Sequence, residues 1–463
     1  MSSSGTSVTS ARPTSAARPP ATVVATRSAG ARAADRVVGA AAADARVIRT
    51  APLPTGLTVV TEPMPDVRSV ALGFWVGVGS RDEAAREAGA SHFLEHLLFK
   101  GTEQRTAAEI AEAIDAVGGE LNAFTAKDHT AFHVRVLAED LDLALDVLSD
   151  IMWRPAFRAD EVEAERLVIL EELLMQADEP EDLAQELLAS AMWPGHPLGR
   201  EVLGDESSVS SMGVADLREF HDRGYRPGVT VLAAAGLVDH DRLMAGVQDR
   251  FDRSGRPPGG GPPARVTPTA PSERLVVRRR HTEQAHLVLG LPCVTRHDPD
   301  RHAATLLAQI LGGGASSRLF QEVRERRGLA YSVYAERTGY DDAGVLAVYA
   351  GTAPARAAET LRVVTGEVER LSDGVSAREL EVARGSIVGS MALGLEDSGA
   401  RMHRIGRSML LHGEVPTVDS VVEAFALVSP DDVRRVALRL LESPPTIAVV
   451  SPLREDRVAA WVA

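Results

Sequence analysis

The stretch "SHFLEHLLFKGT", Ser91 to Thr102, decides how the rest of the chain is read. Phe93, Leu94, Leu97 and Leu98 recur at helical spacing and would suffice for a core helix. His92, Glu95 and His96 have no part in that pattern. Residues four apart share a helix face, so two imidazoles can point at one ion. Glu95 stands three after His92 and beside His96, so its carboxylate reaches the same place without being a ligand. Among Phe and Leu side chains, unpaired His and Glu are costly to bury. Surface histidines on an amphipathic helix are the bland alternative, and the apolar flanks argue against it. The order H-x-x-E-H reverses the H-E-x-x-H of zinc proteases. A two-histidine zinc site needs a third protein ligand and leaves its fourth position to water. The ion lowers the pKa of that water toward about 7, and a nearby carboxylate takes its proton.

The third ligand is sought on "DEVEAERLVILEELLMQ", Asp160 to Gln176, which has helical spacing. Glu165 and Glu172 are seven apart, two turns, hence on one face. Glu172 lies between "LVIL" and "LLM", a poor place for a free carboxylate and a good one for a metal ligand. Glu165 then reads as a partner outside the ligand set, holding a ligand or a histidine N–H. Glu171 reads as part of an ordinary acidic stripe.

Outward from these segments, the chain divides. Its 463 residues exceed one ordinary core, since cores stop growing at roughly 250–300 residues. "RSGRPPGGGPPARVTPTAPSE", Arg253 to Glu273, is too rich in Pro and Gly for regular structure. A linker over 251–273 separates a first part, 46–250, from a second, 274–463. Both open with strand-like runs: "LTVVTEPMP" and "SVALGFWVGVGSRDE" in the first, "ERLVVRRR" and "QAHLVLGLPCVT" in the second. In the first, Asp82, Glu83 and the alanines after them are expected to begin the helix of the opening motif. In the second, "HAATLLAQILGGG" follows. Setting Gly101 on Gly312 places His92 on Ala303, Glu95 on Leu306 and His96 on Leu307. The pattern is that of a duplication in which one copy carries the chemistry. Long helices ("EDLDLALDVLSDIMW", "VADLREFHDRGY", and "SPDDVRRVALRLL" capped by Ser429) accompany the strands, so each half reads as α+β.

Composition narrows the function. With 65 acids against 50 bases the formal charge is −15, which argues against a nucleic-acid partner. It suits a cavity that attracts cations, or simple solvation. The single cysteine, Cys293, excludes a disulfide framework, fits a reducing, cytoplasmic setting, and reads as a small buried apolar residue. No run approaches the roughly 18 apolar residues of a membrane span, so no membrane partner is expected. Residues 1–45 are rich in Ala, Ser, Arg, Pro and Thr and read as a disordered tail. Arg-rich and acid-poor, they also fit an organelle transit peptide.

These motifs resemble the pitrilysin or insulinase-like zinc peptidases, the inverted zincins of peptidase family M16. The likeness is greatest to the branch of bacterial and mitochondrial processing peptidases and covers about residues 47–460. It implies a duplicated metallopeptidase domain, each half an antiparallel sheet with helices packed on it, together forming half of a clamshell. The first half would be the zinc-binding catalytic domain, and the second a substrate-binding domain without metal ligands. In the family a glutamate ligand follows downstream, with another glutamate seven before it; here Glu172 lies 76 after His96 and Glu165 seven earlier. Carried over, His92, His96 and Glu172 bind Zn2+, Glu95 is the general base and Glu165 supports a ligand.

"GGELNAFTAKDHTAFH" resembles the family's edge strand, to which an extended substrate adds by β-augmentation. Asn122 and Ala123 would contact the substrate. Asp128 and Phe132 stand near positions where the family often has Glu and Tyr. "SSRLFQEVRERRGLAYSVYAE" resembles the segment that brings an Arg–Tyr pair to the substrate, and Arg324 and Tyr331 have its spacing of seven. On their own, Arg324 and Arg326 read as exposed helix charges and Tyr331 as core. The resemblance implies a zinc-dependent endopeptidase cutting unfolded or short peptides inside a closed chamber. A chain of two halves would complete the chamber as a homodimer. The other readings are a non-catalytic assembly subunit of the same fold and a metal-dependent hydrolase of another substrate.

Overall fold

The computed structural model describes residues 47–271 and 273–461. The tail expected over 1–45 lies outside the described residues. The first half forms a six-stranded sheet of β1 (Arg49–Pro52), β2 (Thr58–Pro63), β3 (Ser69–Val76), β4 (Glu120–Thr125), β5 (Thr130–Leu137) and β6 (Thr230–Gly236). Its spatial order is β1-β2-β6-β3-β5-β4. The second half forms a five-stranded sheet of β7 (Leu275–Arg279), β8 (Ala285–Pro292), β9 (Ala330–Gly339), β10 (Gly344–Thr352) and β11 (Thr446–Ser451), in the order β7-β11-β8-β10-β9. Remove β1 and the two orders coincide strand for strand. The duplication is therefore a shared topology. Neither sheet is the purely antiparallel one that the resemblance implies. The last strand of each half runs parallel to its first main strand, β6 beside β2 and β11 beside β7.

Each sheet is buried on both faces, which explains why β3 is not a simple alternation. Val70, Leu72, Phe74 and Val76 face the first half's own helices. Ala71 and Trp75 face Met402 and Ile405 on helix Ser398–His412, which belongs to the second half. The exchange is reciprocal. Helix Pro180–Met192 of the first half lays Leu183, Ala184, Leu188 and Met192 against Val288, Tyr349, Ala448 and Val450 of the second sheet. Both contacts need a bare backbone. A Cβ on Gly73 of β3 would lie 2.8 Å from Met402 Sδ, and one on Gly290 of β8 would lie 2.8 Å from Leu188 Cδ1.

Two arginines cross the same boundary. Arg81, just after β3, donates to Asp342 in the β9–β10 turn at 2.9–3.0 Å. Arg296, just after β8, donates to Asp128 in the β4–β5 turn. The described residues between helix His240–Ser254 and β7 form no helix or strand, yet they are pinned to the first half. Gly259 donates to the Thr55 carbonyl at 2.7 Å, and Arg265 forks onto Asp82 with both bonds at 2.9 Å. Cys293 is half-buried against the second core, and burial pushes its thiol up. Ser429 caps helix Pro430–Leu441 through a capping box. Among the described residues no helix is long and apolar enough to cross a membrane.

Candidate metal centre

The helix of the opening motif runs Ala90–Leu98, so it begins later than Asp82. Two short 3-10 turns precede it, and Gly89 breaks the chain with φ 91. Only glycine adopts that conformation without strain, and a Cβ there would also meet the Leu203 carbonyl oxygen at 2.4 Å. The break frees backbone N–H groups, and Glu83 satisfies two of them: Gly89 N at 2.8 Å and Ser91 N at 2.7 Å. Burial pushes the Glu83 carboxyl up to about 7, with the Ser91 and Gly89 N–H groups and Arg200 pulling the other way. The acids before the motif thus dock the helix start rather than continue the helix.

Phe93, Leu94, Leu97 and Leu98 enter the core, and His92, Glu95 and His96 remain half-buried on the other side. Helix Ala159–Asp178 crosses beside them and buries Val162, Glu165, Arg166 and Ile169. The apolar neighbours used to argue for Glu172 do not bury it. Leu167, Leu174 and Met175 are 65%, 61% and 69% exposed, because they lie opposite the core-facing stripe of the helix. Glu172 is placed by its own turn of the helix, with its side chain 37% exposed, and Glu171 faces solvent.

His92, His96 and Glu172 converge: one donor atom from each lies within 4.8 Å of the others. Glu172 Oε2 is 3.7 Å from His92 Nε2 and 3.5 Å from His96 Nε2. These separations exceed the roughly 2.7–3.2 Å of a good hydrogen bond. They lie within a few tenths of an ångström of the roughly 3.3–3.4 Å between two ligands of one tetrahedral ion whose metal–ligand bonds are about 2.0–2.1 Å. Burial, and then His96, push His92 down to about 4, so its imidazole is neutral and carries a lone pair for an ion. Its Nδ1 is buried with no hydrogen-bond partner. The donor set and its spacing fit zinc.

Around the triad the supports differ. His96 Nδ1 is 3.0 Å from Glu165 Oε2, which places the proton on Nδ1 and turns the lone pair of Nε2 toward Glu172. Lys100 Nζ sits 2.7 Å from the other oxygen of Glu165. Sequence reading missed Lys100, although it stands one turn after His96 on the same face. Glu95 Oε2 accepts from the Thr125 hydroxyl at 2.6 Å. Burial raises the Glu95 carboxyl above its ordinary range, and the Thr125 bond opposes this. Thr125 was also missed, since nothing local links it to Glu95.

Thr125 ends β4, the outer strand of the first sheet, and among the described residues β4 pairs only with β5. Asn122 is exposed on that edge, and its Oδ1 accepts from Ala123 N at 2.8 Å. The structure therefore brings Asn122 and Ala123 to the strand that reaches Glu95. Asp128 and Phe132 do not reach the metal centre. Asp128 is committed to Arg296 and His129, and Phe132 is fully buried against Phe99 and Tyr225. Arg324 lies in the π-helix Phe320–Arg326 and pairs with Tyr331. It donates to the Tyr331 carbonyl at 3.0 Å and stacks over the ring at 4.5 Å. Tyr331 is 77% exposed, so the core reading of its residue type fails: it is the second residue of edge strand β9 and its ring covers the guanidinium instead. Arg326 is exposed and pairs with Glu322. The partners of Arg324 all lie in its own half, away from the triad.

Comparison with known proteins agrees with this division. The family described as "Insulinase (Peptidase family M16)" matches residues 58–206, and "Peptidase M16 inactive domain" matches 211–387. An uncharacterized zinc protease of Streptomyces coelicolor is 45% identical over 89% of this chain and 91% of its own. One of Mycobacterium tuberculosis is 47% identical over 87% and 93%, and one of Bacillus subtilis is 37% identical over 86% and 96%. Among solved structures, a peptidase M16 inactive domain from Pseudomonas fluorescens superposes with TM-score 0.82 at 22% identity, covering 88% of this chain and 98% of that one. A protease from Helicobacter pylori gives 0.81 at 22% identity, covering 88% and 100%. Zinc is the cofactor these relationships assign.

Proposed function

The chain belongs to the insulinase family of zinc peptidases, peptidase family M16, and on that premise we propose that it is an endopeptidase of unfolded or short peptides. In this reading His92, His96 and Glu172 hold the zinc and Glu95 is the general base. The observation that carries it is the convergence of three donor atoms within 4.8 Å, with Glu95 held next to them by the edge strand. Zinc bound there supplies a Lewis acid that polarises the scissile carbonyl and eases deprotonation of water. Glu165 fixes the His96 ring and its tautomer, and Lys100 balances the charge of Glu165. Glu95 takes the proton of the attacking water and returns it to the leaving amine. Burial keeps its carboxylate basic enough for that exchange. An extended peptide adds to β4 as a further strand, pairing at Ala123 while Asn122 turns aside.

Arg324 and Tyr331 would serve the carbonyl and the developing oxyanion. Tyr331 is exposed, Arg324 is half-buried beneath its ring, and their partners lie in their own half, which leaves the pair open to face the metal centre of a second copy. That is the support for a homodimer enclosing two sites. The lone cysteine suits a reducing, cytoplasmic setting.

The test compares wild type with Glu95→Gln on a quenched unstructured peptide, with zinc measured on both. The variant should keep zinc and lose at least ~100-fold in turnover, the usual cost of removing a general base. A wild type that holds zinc and cuts nothing would make the chain a non-catalytic assembly subunit.

A further inference from the structure

The reading of Glu95 as base gives Thr125 only the part of holding that residue, which it touches directly. Its hydroxyl donates to Glu95 Oε2 at 2.6 Å, and the competing Ser91 carbonyl lies at 3.5 Å. A hydroxyl bonded to a carboxylate is among the stronger hydrogen bonds. Thr125 is only half-buried, so the core does not require it.

Its position on the strand gives the contact a further meaning. N–H groups two residues apart leave an extended strand on the same edge. Ala123 N is bonded to its neighbour's side chain, not to β5, so it points out of the free edge. The N–H of Thr125 leaves on that same edge, and its hydroxyl reaches Glu95. A peptide that pairs at Ala123 therefore runs one pleat from the group that holds Glu95.

We propose that Thr125 is a positioning residue that couples docking of an extended peptide on β4 to the orientation of Glu95. This rests on the peptidase reading above. Before docking, β4 is paired on one side only. A second partner strand removes its remaining freedom, and the Thr125 hydroxyl passes that order to the carboxylate. Binding energy from peptide residues remote from the scissile bond then appears in kcat and not only in KM.

The test measures kcat and KM for two quenched peptides, one long enough to cover β4 and one truncated short of it. Wild type should turn over the long peptide at least ~10-fold faster at saturation. Thr125→Val keeps the side-chain shape and removes the hydroxyl. It should lower kcat for the long peptide roughly tenfold or more, lower kcat for the short one by much less, and so erase most of the length advantage. Thr125→Ser should restore the advantage. Zinc content should match wild type in each variant, and Thr125→Ala gives the same reading if the valine variant does not fold. A length advantage that survives loss of the hydroxyl overturns the proposal, and so does zinc loss that accounts for the fall in kcat. Glu95→Gln on the same peptides separates the two questions. If wild type cuts neither peptide while holding zinc, the peptidase reading falls and this coupling with it.

Discussion

Helix Ala90–Leu98 and helix Arg301–Gly312 each follow the central strand of a sheet with the same strand order, yet they bury different things. On the first, His92, Glu95 and His96 stay half-open beside helix Ala159–Asp178. On the second, the matching Ala303, Leu306 and Leu307 are buried. Helices Ala377–Gly394, Val418–Leu427 and Pro430–Leu441 pack against it. A metal centre needs a face that core packing leaves free. One half kept such a face and the other filled it, while both kept the exchange of a helix and an arginine across their boundary. Chemistry diverged between the halves and their mutual support did not.

The largest effect should come from breaking one arm of that support. Arg296→Ala leaves the Asp128 carboxylate with its side chain only 4% exposed and its main cation gone. Burial works to raise the Asp128 pKa, and His129 and Arg296 together hold it well below the usual range. Removing one partner of a buried ion pair costs about 3–5 kcal/mol. Arg81→Ala should cost less, because Asp342 is 18% exposed and water can take over. Urea denaturation of the two variants measures the difference. Equal costs would show that the two crossings are equivalent after all.

Much of the centre was legible because it is local or periodic. Four- and seven-residue spacings put His92 with His96 and Glu165 with Glu172, and helix geometry does the rest. The repeated order of strands and helices was legible for the same reason. The exchange of helices was not. The apolar stripe of Ser398–His412 shows that the helix must be covered, and nothing in it says that the cover is Trp75, more than three hundred residues earlier. The same holds for Thr125 and Glu95, joined only by the sheet. Gly89 was passed over because its role depends on Leu203, which approaches it from a distant segment.

A smaller effect sharpens the contrast between an exchanged helix and an ordinary one. Gly406 lies where helix Ser398–His412 meets β3, and a Cβ there would come 2.2 Å from Trp75 Nε1. Trp75 is 1% exposed and has no room to retreat. Gly406→Ala should therefore destabilise by about 1–3 kcal/mol, the usual cost of overpacking. Gly389, within helix Ala377–Gly394, has nothing within 4 Å of its added Cβ. Gly389→Ala should stabilise by about 0.4–1 kcal/mol through the unfolded chain. Thermal unfolding should move in opposite directions for the two variants. A neutral Gly406→Ala would mean that the helix is loosely seated on the first sheet.

The smallest effect is one of pH, and it too separates the two exchanged helices. Under helix Ser398–His412, His133 of β5 and His403 meet ring to ring with centroids 4.7 Å apart. Burial, then His403, push His133 down to about 4, and burial lowers His403. Glu120 and Asp397 pull the other way, and Arg135 bridges those two acids at 2.9 and 3.0 Å. An unfolded histidine titrates near 6.5. Between about pH 6.5 and 4 the unfolded chain therefore binds more protons than the folded one at this pair. Its stability contribution is complete above that window and is lost as pH falls through it. Under helix Pro180–Met192 the corresponding contact is His286 with the Tyr349 hydroxyl at 2.9 Å, with no second imidazole to repel. Tm should consequently fall less steeply from pH 6.5 to 4 in His403→Gln than in wild type, whereas His286→Gln should track wild type more closely. Carboxylates that titrate in the same range are common to all three proteins, so the difference between curves isolates the histidines. Parallel curves for His403→Gln and wild type would mean that the rings separate on protonation, and that the clamp on the first sheet is as insensitive to acid as the clamp on the second.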